Sequence, residues 1–184
     1  MKIGIIIPAH NEEKRIGSKL ESYSPYFAKK SKTDKNNYSI LVVINKTEDS
    51  TEQIVKNFIK KAKNVSYIKF KKGGKGFAVT EGFKHFISKN FDMAGFVDAD
   101  LATSPDAFYD LVKNIDGYSG IIGNRWSKKS KIYRKQSVLR RSASRIYNFL
   151  IRIMFWMKYH DTQCGAKLFK IEELKKIINK IFIT

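Results

Sequence analysis

The stretch FVDADLATSP, residues 96 to 105, closes an apolar run, crosses a loop and opens a helix. Phe96 and Val97 end the run AGFV (94 to 97), and Ser104 followed by Pro105 is an N-cap with the favoured first-turn proline. Between them stand Asp98 and Asp100. One residue apart at the end of an extended segment, their side chains point the same way and can converge on a cation. Mg²⁺ and Mn²⁺ are held by one or two carboxylates together with phosphate oxygens, which suits such a pair. An Asp-x-Asp triplet by itself is more often a solvated turn; its place between a strand and a helix gives it weight.

Four further apolar runs read as strands: IGIII (3 to 7), ILVVI (40 to 44), VSYIKF (65 to 70) and GIIG (120 to 123). They are continuous rather than alternating, the pattern of strands buried on both faces. Helical periodicity fills the intervals. Over 51 to 62, Ile54, Val55, Phe58, Ile59 and Ala62 share one face, with Ser50 and Gln53 as a capping box. A second helix spans 76 to 88 and a third starts at Ser104. Strand and helix alternate from residue 3 to residue 123, so the fold class is α/β, with a mostly parallel central sheet flanked by helices on both faces. Such sheets bind ligands beyond the carboxyl ends of their strands. The segments to inspect are therefore 8 to 13, 45 to 50, 71 to 76, 98 to 104 and 124 onwards.

In the first of these, PAHNEE (8 to 13), Pro8 ends the strand and presents His10, Asn11 and Glu12 at the binding edge. A lone loop histidine is more often a surface residue than a base. In the third, KKGGKGFAV (71 to 79), the glycines permit close backbone approach while amides and Lys75 face an anion. The spacing matches neither the Walker loop nor the dinucleotide fingerprint.

The bulk properties narrow the function classes. The 184 residues suit one domain, and 42% hydrophobic content argues against a disordered chain. Cys164 is the single cysteine, so no internal disulfide and no Cys-x-x-Cys metal site can form, and a reducing, cytoplasmic setting is expected. The apolar run before Pro8 is too short for a signal-peptide core or a membrane span. A net charge of +19 calls for an acidic partner: nucleic acid, an anionic membrane or a phosphorylated substrate. The charge crowds in RWSKKSKIYRKQS (125 to 137). Residues 138 to 158 then read as an amphipathic helix, with Leu139, Ile146, Phe149, Leu150, Ile153 and Met157 in one stripe and Arg141, Arg145 and Arg152 on another face. That helix suits a peripheral position on an anionic membrane surface, at its cytoplasmic face, rather than a span.

Taken in order, PAHNEE, NKTEDST, GGKGFAV, DADLATSP, GNRW and DTQCGAKLF make the chain resemble glycosyltransferase family 2, the inverting nucleotide-sugar enzymes of GT-A fold. Within it, the chain is similar to the polyprenyl or dolichyl phosphate glycosyltransferases. The resemblance covers residues 3 to 170 and implies a single catalytic domain over 1–184. Its nucleotide-sugar-binding half would be 1–123 and its acceptor-side half 124–184, the latter incomplete relative to the family, whose domain continues past the closing IFIT. It further implies that Pro8, Ala9, His10, Glu12, Val43 and Asn45 hold the nucleoside, and that Lys75, Ala99 and Ala102 join them around the donor. Asp98 and Asp100 would bind Mg²⁺ or Mn²⁺, and Asp161 and Gln163 would border the sugar and acceptor. Arg125, with Arg141 and Arg145, would hold the acceptor phosphate. Asp98, Asp100, Arg125, Asp161 and Gln163 are thereby the expected catalytic set. Members usually carry an acidic pair and Gly-Ser where this chain has Ile44, Asn45, Lys46 and Thr47, which leaves the donor base open.

The expected activity is inverting transfer of glucose or mannose, from UDP-glucose or GDP-mannose, to a polyprenyl or dolichyl phosphate, with no nucleic-acid partner. The alternatives are a family member acting on another acceptor such as a cell-surface polysaccharide, an inactive truncated remnant, and a nucleic-acid-binding α/β protein using the aromatic and basic residues of 125 to 135.

Overall fold

Ile3, Ile5 and Ile7 turn to one face of the first strand and Ile6 to the other, and all four are fully buried. The same alternation places Ile40, Val42 and Ile44 in one core and Leu41 and Val43 in a second core on the opposite side. Strands this apolar on both faces need helices above and below. The computed structural model describes residues 1–124, 149, 153–156, 161 and 163–181. In it, β1 (Lys2–Ala9), β2 (Asn37–Asn45), β3 (Val65–Phe70), β4 (Met93–Val97), β5 (Gly120–Ile122) and β6 (Ala166–Lys170) form one sheet. Their order is β3-β2-β1-β4-β6-β5. The first four strands are parallel to one another. β6 inserts antiparallel between β4 and β5, separating two strands that are sequential among the first five.

One layer consists of α1 (Ile16–Thr33), α2 (Thr51–Ile59) and α4 (Pro105–Lys113), whose Leu20, Tyr23, Phe27, Val55 and Phe108 fill the first core. The other holds α3 (Lys75–Ser88) and α5 (Ile171–Ile177), with Ala78, Phe83, Phe86 and Leu174 in the second.

Several expectations are corrected. β1 runs through Pro8 to Ala9 instead of ending at the proline; β4 stops pairing with β1 at Ile6, so the missing Pro8 N–H breaks no ladder on that side. Residues 16 to 33, left unassigned by periodicity, form the longest helix of the described residues and carry Pro25 inside it. Ser50 precedes α2 without capping it: Asp49 accepts the Thr51 N–H at 3.0 Å, and Gln53 donates to Asn57 instead. The Ser104 cap is as expected, its hydroxyl accepting the Ala107 N–H at 3.3 Å. Most of 138 to 158 lies outside the described residues. Its described part turns at Phe155 and Trp156, the latter at φ 49°, so the helix does not continue unbroken to 158.

Candidate active site at the carboxyl edge of the sheet

β4 ends at Val97, so Asp98 and Asp100 stand in the loop beyond it and not in the extended geometry that the spacing suggested. Each is held differently. Asp98 extends the β4–β6 ladder by one bond, its N–H donating to the Gly165 carbonyl at 3.2 Å. Its carboxylate pairs with the Lys75 ammonium. The DTQCG turn lies directly against it. A Cβ on Gly165 would sit 2.2 Å from Asp98 Oδ2, closer than real contacts, so any side chain there would force the Asp98 carboxylate or the turn to shift. Asp100 folds back on its own loop, Oδ1 accepting the Ala102 N–H at 3.2 Å. Ala99, between the two acids, is buried, and Ala102 is exposed.

Lys75 is the first residue of α3, entered through Gly74 at φ 110°, a backbone conformation that glycine adopts without cost. The lysine of the glycine-rich loop is paired with the Asp98 carboxylate of the chain itself. Lys167 of β6, opposite Phe96 in the antiparallel ladder, brings a second ammonium to the same ring. Both ammonium groups lie 6.0 Å from the Phe96 ring. Burial holds the Lys167 pKa below the ordinary lysine range, with Lys75 adding repulsion and Cys164, Asp161 and Asp98 opposing.

On the β1–β2 side Asn45 and His10 are tied to backbone groups. Asn45 is buried, and its amide satisfies both neighbours when the nitrogen faces the Ala9 carbonyl and the oxygen the Gly74 N–H, at 3.1 Å each. It therefore clamps the end of β1 to the entry of α3. Val43 is fully buried in the core with Ile6 and Val79, which leaves its side chain no surface to offer a nucleoside. Pro8 and Ala9 are buried as well. His10 is exposed, and its Nδ1 donates to the Asn45 carbonyl at 3.0 Å. Glu12 pairs with Arg15 at 2.6 Å, while its N–H donates to Thr51 Oγ1 at 2.8 Å. Burial raises the Glu12 pKa; Arg15 opposes this, and Asp100 and Asp49 reinforce it. The loops after β1 and β2 are further stitched by Glu48 N–H to Asn11 Oδ1 at 3.0 Å and Glu13 N–H to Asp49 Oδ2 at 3.1 Å.

The acceptor-side expectations fall unevenly. Asp161 is buried at the start of the turn and Gln163 is exposed on it. Arg125, Arg141 and Arg145 lie outside the described residues. Three residues that sequence reasoning passed over belong to the site: Gly165, Lys167 and Lys19 of α1. Lys19 is fully buried beneath the acidic loop, and its ammonium donates to the carbonyls of Asp100 at 3.0 Å and Thr103 at 3.3 Å. Burial brings its pKa down to about 7, against the pull of the Asp100 and Asp98 carboxylates. The signal was available: Lys19 falls within the apolar stripe Ile16, Leu20, Tyr23, Phe27, and a lysine on a core face needs a partner.

Comparison with known proteins gives the family and the fold. Dolichyl-phosphate beta-glucosyltransferase of Dictyostelium discoideum is 31% identical over 193 residues, which cover 98% of this chain and 58% of that protein. The human dolichyl-phosphate beta-glucosyltransferase is 27% identical over 198 residues, covering 99% of this chain and 59% of that one. The chain thus spans less than two thirds of these relatives. Among solved structures, a mannosyltransferase from Pyrobaculum calidifontis in complex with GDP-Man and Mn²⁺ superimposes with a TM-score of 0.60 at 17% identity, over 95% of this chain and 46% of that one. Glucosyl-3-phosphoglycerate synthase from Mycobacterium tuberculosis, in complex with Mn²⁺, UDP-glucose and phosphoglyceric acid, does so at 0.61 and 19%, over 93% and 57%. These likenesses give the fold, which is GT-A. The family model for glycosyl transferase family 2 matches residues 4–178, and the chain belongs to that family.

Proposed function

We propose that this chain carries the catalytic centre of an inverting hexosyltransferase that passes a sugar, glucose in the first instance, from a nucleotide diphosphate to a polyprenyl or dolichyl phosphate. The observation that carries the reading is the meeting of DADLATSP and DTQCGAKLF at one carboxylate: far apart in sequence, Gly165 and Asp98 share a backbone bond, and the turn passes so close to the Asp98 carboxylate that a side chain at 165 would displace it. The names of the curated relatives supply the substrate class, and mannose from GDP-mannose is the second donor to test.

In the reaction, an oxygen of the acceptor phosphate forms a bond to the anomeric carbon while the bond from that carbon to the nucleotide diphosphate breaks, inverting the configuration. A phosphate monoester has its second pKa near ~6, so the nucleophile is already ionised at neutral pH and needs little help from a general base. The chain's task is to bring two anions together. Lys75, paired with Asp98, and Lys167 nearby bring positive charge to the site, and Arg125, Arg141 and Arg145 are proposed to hold the acceptor phosphate through charge-assisted bonds.

Asp98 and Asp100 fit a divalent ion. Asp98 already pairs with a cation, the Lys75 ammonium. Asp98 and Asp100 would hold Mg²⁺ or Mn²⁺ together with phosphate oxygens of the donor. When bound, it neutralises the departing diphosphate.

A membrane surface is the proposed setting, at its cytoplasmic face. No helix of the described residues is long and apolar enough to cross a bilayer. Phe149, Ile153, Met154, Phe155 and Trp156 all stand exposed, Trp156 at 93%, beside the most basic part of the sequence. Large apolar residues with neighbouring lysines and arginines suit an anionic leaflet, where each basic residue adds about 1 kcal/mol. The deciding experiment incubates radiolabelled UDP-glucose or GDP-mannose with polyprenyl phosphate and Mg²⁺ or Mn²⁺. Labelled lipid should form and should vanish in EDTA; labelled lipid from neither donor, or undiminished product in EDTA, overturns the reading or its metal.

A further inference from the structure

We infer that Lys19 is a positioning residue that fixes the backbone of the Asp100 loop from inside the core, so that the acidic pair is preset for its cation. The inference rests on the reading of Asp98 and Asp100 given above. Past β4 the chain turns its carbonyls at Asp100, Thr103 and Ser104 inward over α1, away from water. A buried carbonyl needs a donor. Tyr23 reaches two of them, its hydroxyl 2.8 Å from the Thr103 oxygen and 3.2 Å from that of Ser104, but it has one proton to give. Among the described residues the Asp100 carbonyl accepts from Lys19 alone, whose Nζ lies 3.0 Å away and also reaches the Thr103 carbonyl at 3.3 Å.

Lys19 is itself prepared for this. It stands one turn before Tyr23 on α1, with its Nζ 4.0 Å from the centre of the Tyr23 ring, and it has no exposure to solvent. A fully buried lysine is a costly choice for a helix that needs only an apolar face. Leucine or methionine would pack there and leave the Asp100 carbonyl unmet. The lysine acts through the backbone: with that carbonyl anchored, the bond from the Ala102 N–H to Asp100 Oδ1 closes a short ring that aims the carboxylate.

The test uses the full chain carrying Lys19→Met, with Lys19→Gln, too short to span the same gap, as the second variant if the first does not fold. Tyr23→Phe serves as the comparison, since it removes a donor from the same loop but leaves Asp100 held. Hydrogen exchange of the peptide spanning 98 to 104 is read by mass spectrometry, and Mn²⁺ affinity is titrated in the presence of UDP or GDP. Loss of Lys19 should speed exchange of that peptide at least about tenfold over its change elsewhere, and weaken Mn²⁺ by about tenfold or more. Tyr23→Phe should leave Mn²⁺ affinity near that of the parent even where it lowers the melting temperature. Unchanged exchange over 98 to 104 overturns the inference, as does a loss of Mn²⁺ affinity that merely follows melting temperature across the variants. If the parent binds no Mn²⁺ with either nucleotide, the metal reading fails, and the exchange result still decides the role of Lys19.

Discussion

Along the β1–β2 half of the carboxyl edge, Pro8, Ala9 and Val43 are buried in a parallel ladder that runs from Lys2↔Asn37 to Ala9↔Ile44, and the buried Asn45 follows it, paired with Phe70 of β3. Along the other half, a strand coming from the far end of the chain enters antiparallel, and a single turn presses on Asp98. The first half is over-determined, because Asn45 and His10 bond to backbone groups and the strands have helices on both faces. The second depends on one close approach. Substitutions on the first side should therefore register mainly as lost stability, and those on the second as lost geometry with the fold intact.

The comparison is tested most severely at the acids. Asp100→Asn should lower transfer by about 100-fold or more, the several kcal/mol of charge stabilisation expected from a metal carboxylate, while the melting temperature stays within a few degrees. Near-parental activity would remove the pair from the chemistry.

Gly165→Ala comes next. Its Cβ would meet Asp98 Oδ2 at 2.2 Å, and either the turn or the carboxylate must move. Activity should fall by about 10- to 100-fold, as for groups that orient a metal ligand. A variant that keeps its activity but unfolds at lower temperature would assign the turn to stability and erase the contrast between the halves.

Asn45→Ala probes the opposite side. It leaves the Ala9 carbonyl and the Gly74 N–H without their bridge, so the fold should lose about 2 kcal/mol in chemical denaturation. A raised donor KM at unchanged stability would instead place Asn45 against the nucleoside, as the resemblance implied.

Arg125→Ala should raise the acceptor KM or lower kcat by about tenfold, the value of a charge-assisted bond of ~1.5 to 3 kcal/mol, with hydrolysis of the sugar nucleotide measured without lipid little affected. Equal loss in both assays would move Arg125 to the donor or the fold. The smallest change expected is Gly17→Ala in the first turn of α1, where the nearest atom to a new Cβ is Ile54 Cγ2 at 3.7 Å. It should stabilise by about 0.4 to 1 kcal/mol through the unfolded chain and leave transfer unchanged.

The layered α/β class was legible in the sequence because strands buried on both faces must be apolar throughout: five runs of such residues, separated by helical periodicity, admit few other arrangements. The helix start at Ser104 and Pro105 was legible for a local reason, a side-chain cap within three residues. The family, too, could be read from six short motifs in fixed order. Other features depend on partners distant in sequence. Helix α1 escaped notice because its stripe carries Lys19 and Pro25, and Lys19 makes sense only once the carbonyls of residues 100 and 103 are folded over it. Ser50 and Gln53 match a capping box in sequence, but Asp49 took the amide. Val43 and Asn45 were expected at the nucleoside, whereas packing buries the first and backbone bonding engages the second. The place of β6 between β4 and β5, and with it the contact of Gly165 on Asp98, was decided by tertiary structure, since a five-residue strand carries no record of which neighbour it will pair with or in which direction.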